Sequence, residues 1–193
     1  MHLGEYEVIQ IEPEAPEFEG VVREAEKICD DLLGKGLYSE ERIKEICRKE
    51  DHYFFVVLKR GQIEGIFYCY AGMAADIPFA AAIDGMAADT RIGVAQSIAL
   101  RNEARHQGIA ASLLNHATRM LFNEEKVRKI FALAWVQGTE IPARKHLERC
   151  GYRFLDIQSR PWASCEELMC PVCGRQPCTC DGAVYAKEVD DDE

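Results

Sequence analysis

The sequence predicts an α/β fold in which helices flank a sheet containing a parallel strand pair. Two stretches of chain carry that prediction. In the first, Ile98 and Leu100 alternate with Ser97, Ala99 and Arg101, the pattern of a strand with one buried face. A polar, glycine-containing loop follows. Leu113, Leu114, Ala117 and Leu121 then recur at helical spacing over residues 109–123. In the second, the apolar run 130–136 lies between Lys129 and Gly138 and reads as a strand buried on both faces, as parallel strands are. The order is strand, loop, helix, parallel strand.

The other elements follow in turn. Residues 6–12 alternate as a first strand, and residues 13–20 form an acidic, proline-containing turn. Residues 21–33 and 39–48 read as helices, the second with Ser39 as N-cap and Glu40 and Glu41 in its first turn. Residues 53–58 and 63–70 form a hairpin around Lys59-Arg-Gly-Gln62. Residues 71–91 are rich in Ala, Gly and Met and lack a firm period. Such long segments either carry function or plug the core. A helix is expected over 141–150, with Pro142 in its first turn and Gly151 at its C-cap. Residues 154–161 and 183–189 read as the last two strands. No internal repeat or low-complexity linker is present.

A chain of 193 residues, 48% hydrophobic, fits one domain over 1–193 with a small insertion. No apolar run reaches the roughly 20 residues of a membrane span. The first seven residues are neither basic nor apolar enough for a signal peptide, so a cytoplasmic protein is expected. The net charge of −10 disfavours nucleic acid and anionic membranes as partners and suits a basic substrate only weakly. Part of that charge sits in residues 188–193, expected to be a solvated end. Of nine cysteines, Cys29, Cys47, Cys69 and Cys150 are scattered through apolar segments and read as reduced core residues.

The loop before residue 109 carries the chemistry. A helix N-terminus offers backbone N–H groups without intrahelical partners, and a glycine there lets an anion, most often phosphate, approach. The pattern Arg105-x-x-Gly108-x-Ala110 after a strand resembles the acyl-CoA pyrophosphate loop of the GNAT superfamily of N-acetyltransferases. The segment from Pro142 to Cys150-Gly151-Tyr152 resembles that family's second motif, a helix ending in Gly-Phe or Gly-Tyr. The resemblance covers roughly residues 6–160.

It implies a central mixed, largely antiparallel sheet with a splayed parallel strand pair. It implies transfer of an acetyl group from acetyl-CoA to a primary amine of a small molecule or protein, by direct attack in a ternary complex. It is compatible with a homodimer. The cofactor site implied comprises Ile98, Ala99 and Leu100 along the strand, then Arg105, His106, Gln107, Gly108, Ile109, Ala110 and Ala111. Leu100 N–H would face the thioester carbonyl. The proton-transfer residues depart from the family pattern. Leu147 stands where a tyrosine general acid is common, and the strand before the loop offers Gln96 and Ser97 where a glutamate is common. Ser97 and His146 remain as candidates. His146 is one helical step, about 100°, from Leu147 and reads as a surface histidine.

A second constellation is Cys170-Pro-Val-Cys173-Gly174 followed by Cys178-Thr-Cys180, within a segment, 165–181, inserted before the last strand. Four thiolates at this spacing suit tetrahedral zinc and leave no open coordination position, so a structural ion is expected. A redox dithiol, a regulatory disulfide and an iron–sulfur site are the alternatives. Cys165 could substitute as a ligand. The knuckle either clamps the insertion or docks a protein or peptide. Three functions therefore compete: an N-acetyltransferase, a CoA-binding or zinc-knuckle interaction module, and a redox-sensitive protein.

Overall fold

The computed structural model describes residues 1–77, 79 and 86–189. The strands are β1 (His2–Leu3), β2 (Tyr6–Gln10), β3 (His52–Lys59), β4 (Gln62–Met73), β5 (Arg91–Leu100), β6 (Lys129–Trp135), β7 (Arg153–Gln158) and β8 (Gly182–Glu188). The helices are α1 (Phe18–Leu32), α2 (Glu40–Cys47), α3 (Ile109–Asn123) and α4 (Arg144–Arg149). One mixed sheet joins the strands in the order β1-β2-β3-β4-β5-β6-β8-β7. Among the described residues only β5 and β6 pair in parallel; the other neighbours are antiparallel. This is the mixed α/β sheet expected, with the parallel pair in its interior as the fifth and sixth strands.

Local chemistry accounts for most element ends. Ser39 accepts a hydrogen bond from Arg42 N–H at 3.2 Å and caps α2. The β3–β4 hairpin closes through Arg60 and Gly61 at φ 51° and 79°, the two left-handed residues of a type I′ turn. At the end of α4, Gly151 has φ 83°. Its N–H reaches Glu148 O, and Tyr152 N–H reaches Leu147 O, each at 3.0 Å, which satisfies the last carbonyls of the helix.

Helix α4 is shorter than expected. Arg144 N–H bonds Ile141 O at 3.0 Å, so Pro142 lies in a tight turn ahead of the helix instead of in its first turn. Helix α1 begins at Phe18, inside the expected turn, because Phe18 and Val22 bury on one face together. Glu188 is not part of a free tail: it ends β8 and pairs with Lys129 at 2.7 Å. Residues 190–193 lie outside the described residues.

Helices α3 and α4 cover one sheet face, burying Leu113, Leu121, Leu147 and Tyr152 against Phe67, Ile130 and Tyr185. Helices α1 and α2 cover the other, burying Val22, Ile28 and Ile43 against Phe54, Val56 and Ile66. In the segment 71–91, β4 continues to Met73, and Ala74, Ile77 and Phe79 pack on Ile92, Val94 and Phe131. The described part of this segment is thus a plug; residues 78 and 80–85 lie outside the described residues.

Candidate active site at the strand wedge

Strands β5 and β6 pair at Gly93, Val94 and Ala95 and then part. The departure coincides with a bulge. Tyr68 pairs with Ser97 and Cys69 with Ala95, so Gln96 is an extra residue in β5. A bulge of this kind bends its strand away from a neighbour.

Hydrogen bonding beyond the bulge shows which backbone groups the wedge receives. Arg101 N–H donates to Glu64 O at 2.8 Å, and Gly65 stands opposite Leu100. Bonded and non-bonded pairs alternate along an antiparallel ladder. Ser97 and Ala99 therefore direct their N–H groups to β4, while Ile98 and Leu100 direct theirs toward the parted β6. Leu100 O accepts from Arg105 Nε at 2.8 Å, so Arg105 braces the loop onto the strand.

The wedge is a cavity of about 510 Å³ that runs between the two sheet faces. On the α3 side it reaches Arg105, His106, Gly108, Ile109 and Ala110. Gly108 has φ 77°, no side chain caps α3, and no acidic residue occupies its first turn. Its N-terminal N–H groups are thus left for an anion. Gln107 and Ala111 are not part of the cavity wall. The Gln107 amide instead donates to Glu103 O at 2.5 Å and Tyr6 OH at 3.1 Å, which holds the loop in shape.

Both proton-transfer candidates line the cavity. Ser97 Oγ lies 2.7 Å from the hydroxyl of Tyr38, whose burial pushes its pKa well above the usual tyrosine value. His146 is half-buried and not a surface histidine, because Ala143, His146 and Leu147 share one face of the short α4 turned to the wedge. No tyrosine lines the cavity among the described residues. Residues that pattern reading did not find are Leu37, Trp135, Gln137 and Trp162, at the end of the wedge opposite α3. The two indole rings lie 4.9 Å apart, and buried Trp135 Nε1 has no hydrogen-bond partner among the described residues. No local signal marks any of them.

The four cysteines of the knuckle do come together. The Sγ atoms of Cys170, Cys173, Cys178 and Cys180 all lie within 4.8 Å of one another. Hydrogen bonding to the backbone of Thr179 and then of Arg175 pulls Cys173 down to about 6. Burial pushes Cys178 up to about 11. Cys165 packs nearby but does not join the four sulfurs. Cys29, Cys69 and Cys150 are buried free thiols, and Cys47 is half-buried.

Residues 20–152 match the acetyltransferase (GNAT) family, a span that contains the wedge, the α3 loop and α4. The chain belongs to that family. Among solved structures, GNAT-fold relatives align over nearly all of it. Arabidopsis thaliana NAA60 in complex with acetyl-CoA aligns with a TM-score of 0.71 at 13% identity, covering 95% of this chain and 98% of that one. The Vibrio fischeri ribosomal-protein-S5-alanine acetyltransferase aligns at 0.64 and 14% identity, covering 100% and 98%. The Bacillus cereus IAA acetyltransferase aligns at 0.61 and 16% identity, covering 95% and 99%. At these identities the likeness establishes the GNAT fold. No curated protein sequence matches the chain. No helix among the described residues is long and apolar enough to cross a membrane.

Proposed function

We propose that this GNAT protein transfers an acetyl group from acetyl-CoA to a primary amine by direct attack in a ternary complex. The observation that carries the reading is one continuous cavity joining the uncapped N-terminus of α3 to the outward-facing amides of Ile98 and Leu100. Acetyl-CoA supplies the activated acetyl group and the pyrophosphate anion. The N–H groups of residues 108–110 receive that anion, with the charge of Arg105 beside them. The amides of Ile98 and Leu100 hold the pantetheine arm as an added strand would, and Leu100 N–H polarises the thioester carbonyl. The α3 and α4 face of the wedge excludes water around the reacting atoms. Alignment of amine and thioester supplies most of the rate, since no covalent enzyme intermediate is needed.

Ser97 and His146 are the side chains available to relay the amine proton, directly or through water. The fold places no tyrosine where Leu147 stands, so CoA leaves as thiolate or takes its proton from water. Cys170, Cys173, Cys178 and Cys180 hold a structural zinc ion. Nine cysteines, none in a disulfide, suit a reducing compartment, in keeping with a cytoplasmic protein.

Native mass spectrometry with and without acetyl-CoA, followed by an amine screen for CoA release, tests the reading. Binding of one acetyl-CoA and amine-dependent CoA release support it. Absence of acetyl-CoA binding overturns it. Leu147 favours one second reading, a CoA-binding module without turnover; binding with no CoA release across the screen selects it.

A further inference from the structure

The knuckle packs one side against the rest of the fold. Its chain folds back onto the end of the wedge farthest from α3. Trp162, Leu168 and the cysteines form a small core, against which Leu37, Leu133 and Trp135 pack. The connection between α1 and α2 is tied to it through the backbone: Met169 N–H donates to Lys35 O at 2.8 Å. A Cβ on Gly34 would lie 2.6 Å from Met169 O and 2.7 Å from Pro171 Cδ, so only glycine allows this approach.

Pro171 and Val172, inside the cysteine pattern, line a second cavity of about 400 Å³. Leu32, Trp135 and Gln137 line that cavity and the wedge alike, so the two adjoin. Neither is lined by an aspartate or glutamate among the described residues.

The sulfur geometry fits a metal. Cys170 and Cys180 Sγ lie 3.8 Å apart, and Cys173 and Cys178 Sγ lie 4.0 Å apart. Zinc–sulfur bonds of about 2.3 Å in a tetrahedron put sulfurs about 3.8 Å apart. An apolar core this small cannot hold its own loop against chain entropy, so its shape depends on the ion.

We propose that the zinc-loaded knuckle is one wall of the acceptor subsite, and that this subsite selects a primary amine carried beside an apolar group. The proposal rests on the acetyltransferase reading above. Zinc then sets acceptor affinity while the α3 loop and the β5 rim, which lie outside the knuckle's small core, bind acetyl-CoA independently. A polycation finds no carboxylate in the lining of either cavity among the described residues and is a poor acceptor.

Both tryptophans of the chain, Trp135 and Trp162, stand at this wall, so intrinsic fluorescence reports on it directly. The test compares the zinc-loaded protein, the chelated protein, Cys173→Ser and Val172→Asp. The last alters the wall without touching a sulfur. Zinc is counted by native mass spectrometry, acetyl-CoA affinity is measured by calorimetry, and 2-phenylethylamine and spermidine serve as acceptor probes. We expect one zinc per chain, absent from Cys173→Ser and retained in Val172→Asp. Acetyl-CoA affinity stays within about twofold throughout. Zinc loss or Val172→Asp shifts the fluorescence response to 2-phenylethylamine and lowers its kcat/KM at least tenfold, mainly through KM. Spermidine is at least tenfold poorer than 2-phenylethylamine in the loaded protein.

A chain without bound metal, or one holding an iron–sulfur cluster, overturns the proposal. So do equal losses of acetyl-CoA and acceptor binding, an acceptor KM indifferent to zinc, or failure of 2-phenylethylamine to bind or react. Loss of acetyl-CoA binding in the zinc-loaded protein is a separate result and removes the acetyltransferase reading itself.

Discussion

The hydroxyl of Tyr38 and the Oγ of Ser97 lie 2.7 Å apart, joining the α1–α2 connection to β5 beside the wedge. Tyr38 is only 3% exposed, so its hydroxyl has few other partners, and the bond sets the rotamer of Ser97. Tyr38→Phe and Ser97→Ala should each cost about 1 kcal/mol, the usual net worth of such a bond. Because they remove the same interaction, the double variant should cost little more than either, with a coupling of about 1 kcal/mol. Urea unfolding of the four proteins measures this. Strict additivity would show that the contact contributes nothing.

Gly108 separates charge from shape at the anion loop. Its φ of 77° strains any other residue, although nothing lies within 4 Å of an added Cβ. Gly108→Ala should cost about 1 kcal/mol of stability and change acetyl-CoA affinity little. Gly108→Glu puts a carboxylate in front of α3 and should lower that affinity at least about tenfold, through repulsion of the pyrophosphate. Calorimetry decides. Equal losses from both variants would mean that the helix N-terminus is not the anion site.

Gly65 backs the other rim of the wedge. A Cβ there would lie 2.5 Å from both Ala99 O and Leu100 Cδ2. Gly65→Ala should therefore push the end of β5 outward and cost about 1–3 kcal/mol as an overpacked contact. It should also weaken acetyl-CoA binding, because the amides of Ile98 and Leu100 move with their strand. A variant with lowered thermal stability and unchanged acetyl-CoA affinity would separate that rim from the cofactor.

Stability should fall on mild acidification. His52 Nδ1 lies 2.7 Å from Tyr68 OH, and burial, then Lys49, holds its pKa below the usual histidine value. Burial, then Arg119, does the same for His116. The unfolded chain, with histidines near 6.5, thus binds more protons than the native state as pH drops. The contribution is complete above about 6.5 and is lost as pH falls from there through the depressed native values. Urea midpoints between about pH 7.5 and 5 should decline in the parent and flatten in the His52→Gln, His116→Gln double variant. An identical slope in both would assign the acid sensitivity elsewhere.

Much of this was readable in the chain, and particular residues show why. Ile109–Asn123 formed as the leucine spacing required, and the loop before it kept its glycine at positive φ. Gly151 and Tyr152 closed α4 through bonds spanning a few residues. The four knuckle cysteines converged as their spacing indicated. Segment 71–91 offered no period, and the fate of its described part was decided by Phe131 and Ile92, from other strands. His146 looked solvent-facing because it stands one helical step from Leu147, but the wedge that it lines is made by distant strands.

What the sequence alone determined are most strands and helices, the glycine loop before α3 and the clustering of four cysteines, because periodicity, caps and residue spacing act within a turn or two of the chain. Tertiary structure alone decided that Gln96 bulges, that β5 and β6 part, that Tyr38 meets Ser97, and that Trp162 lines the wedge while Val172 lines the cavity beside it. Those contacts join residues far apart in the chain. They are set by how whole faces pack against one sheet, which no short window of residues encodes.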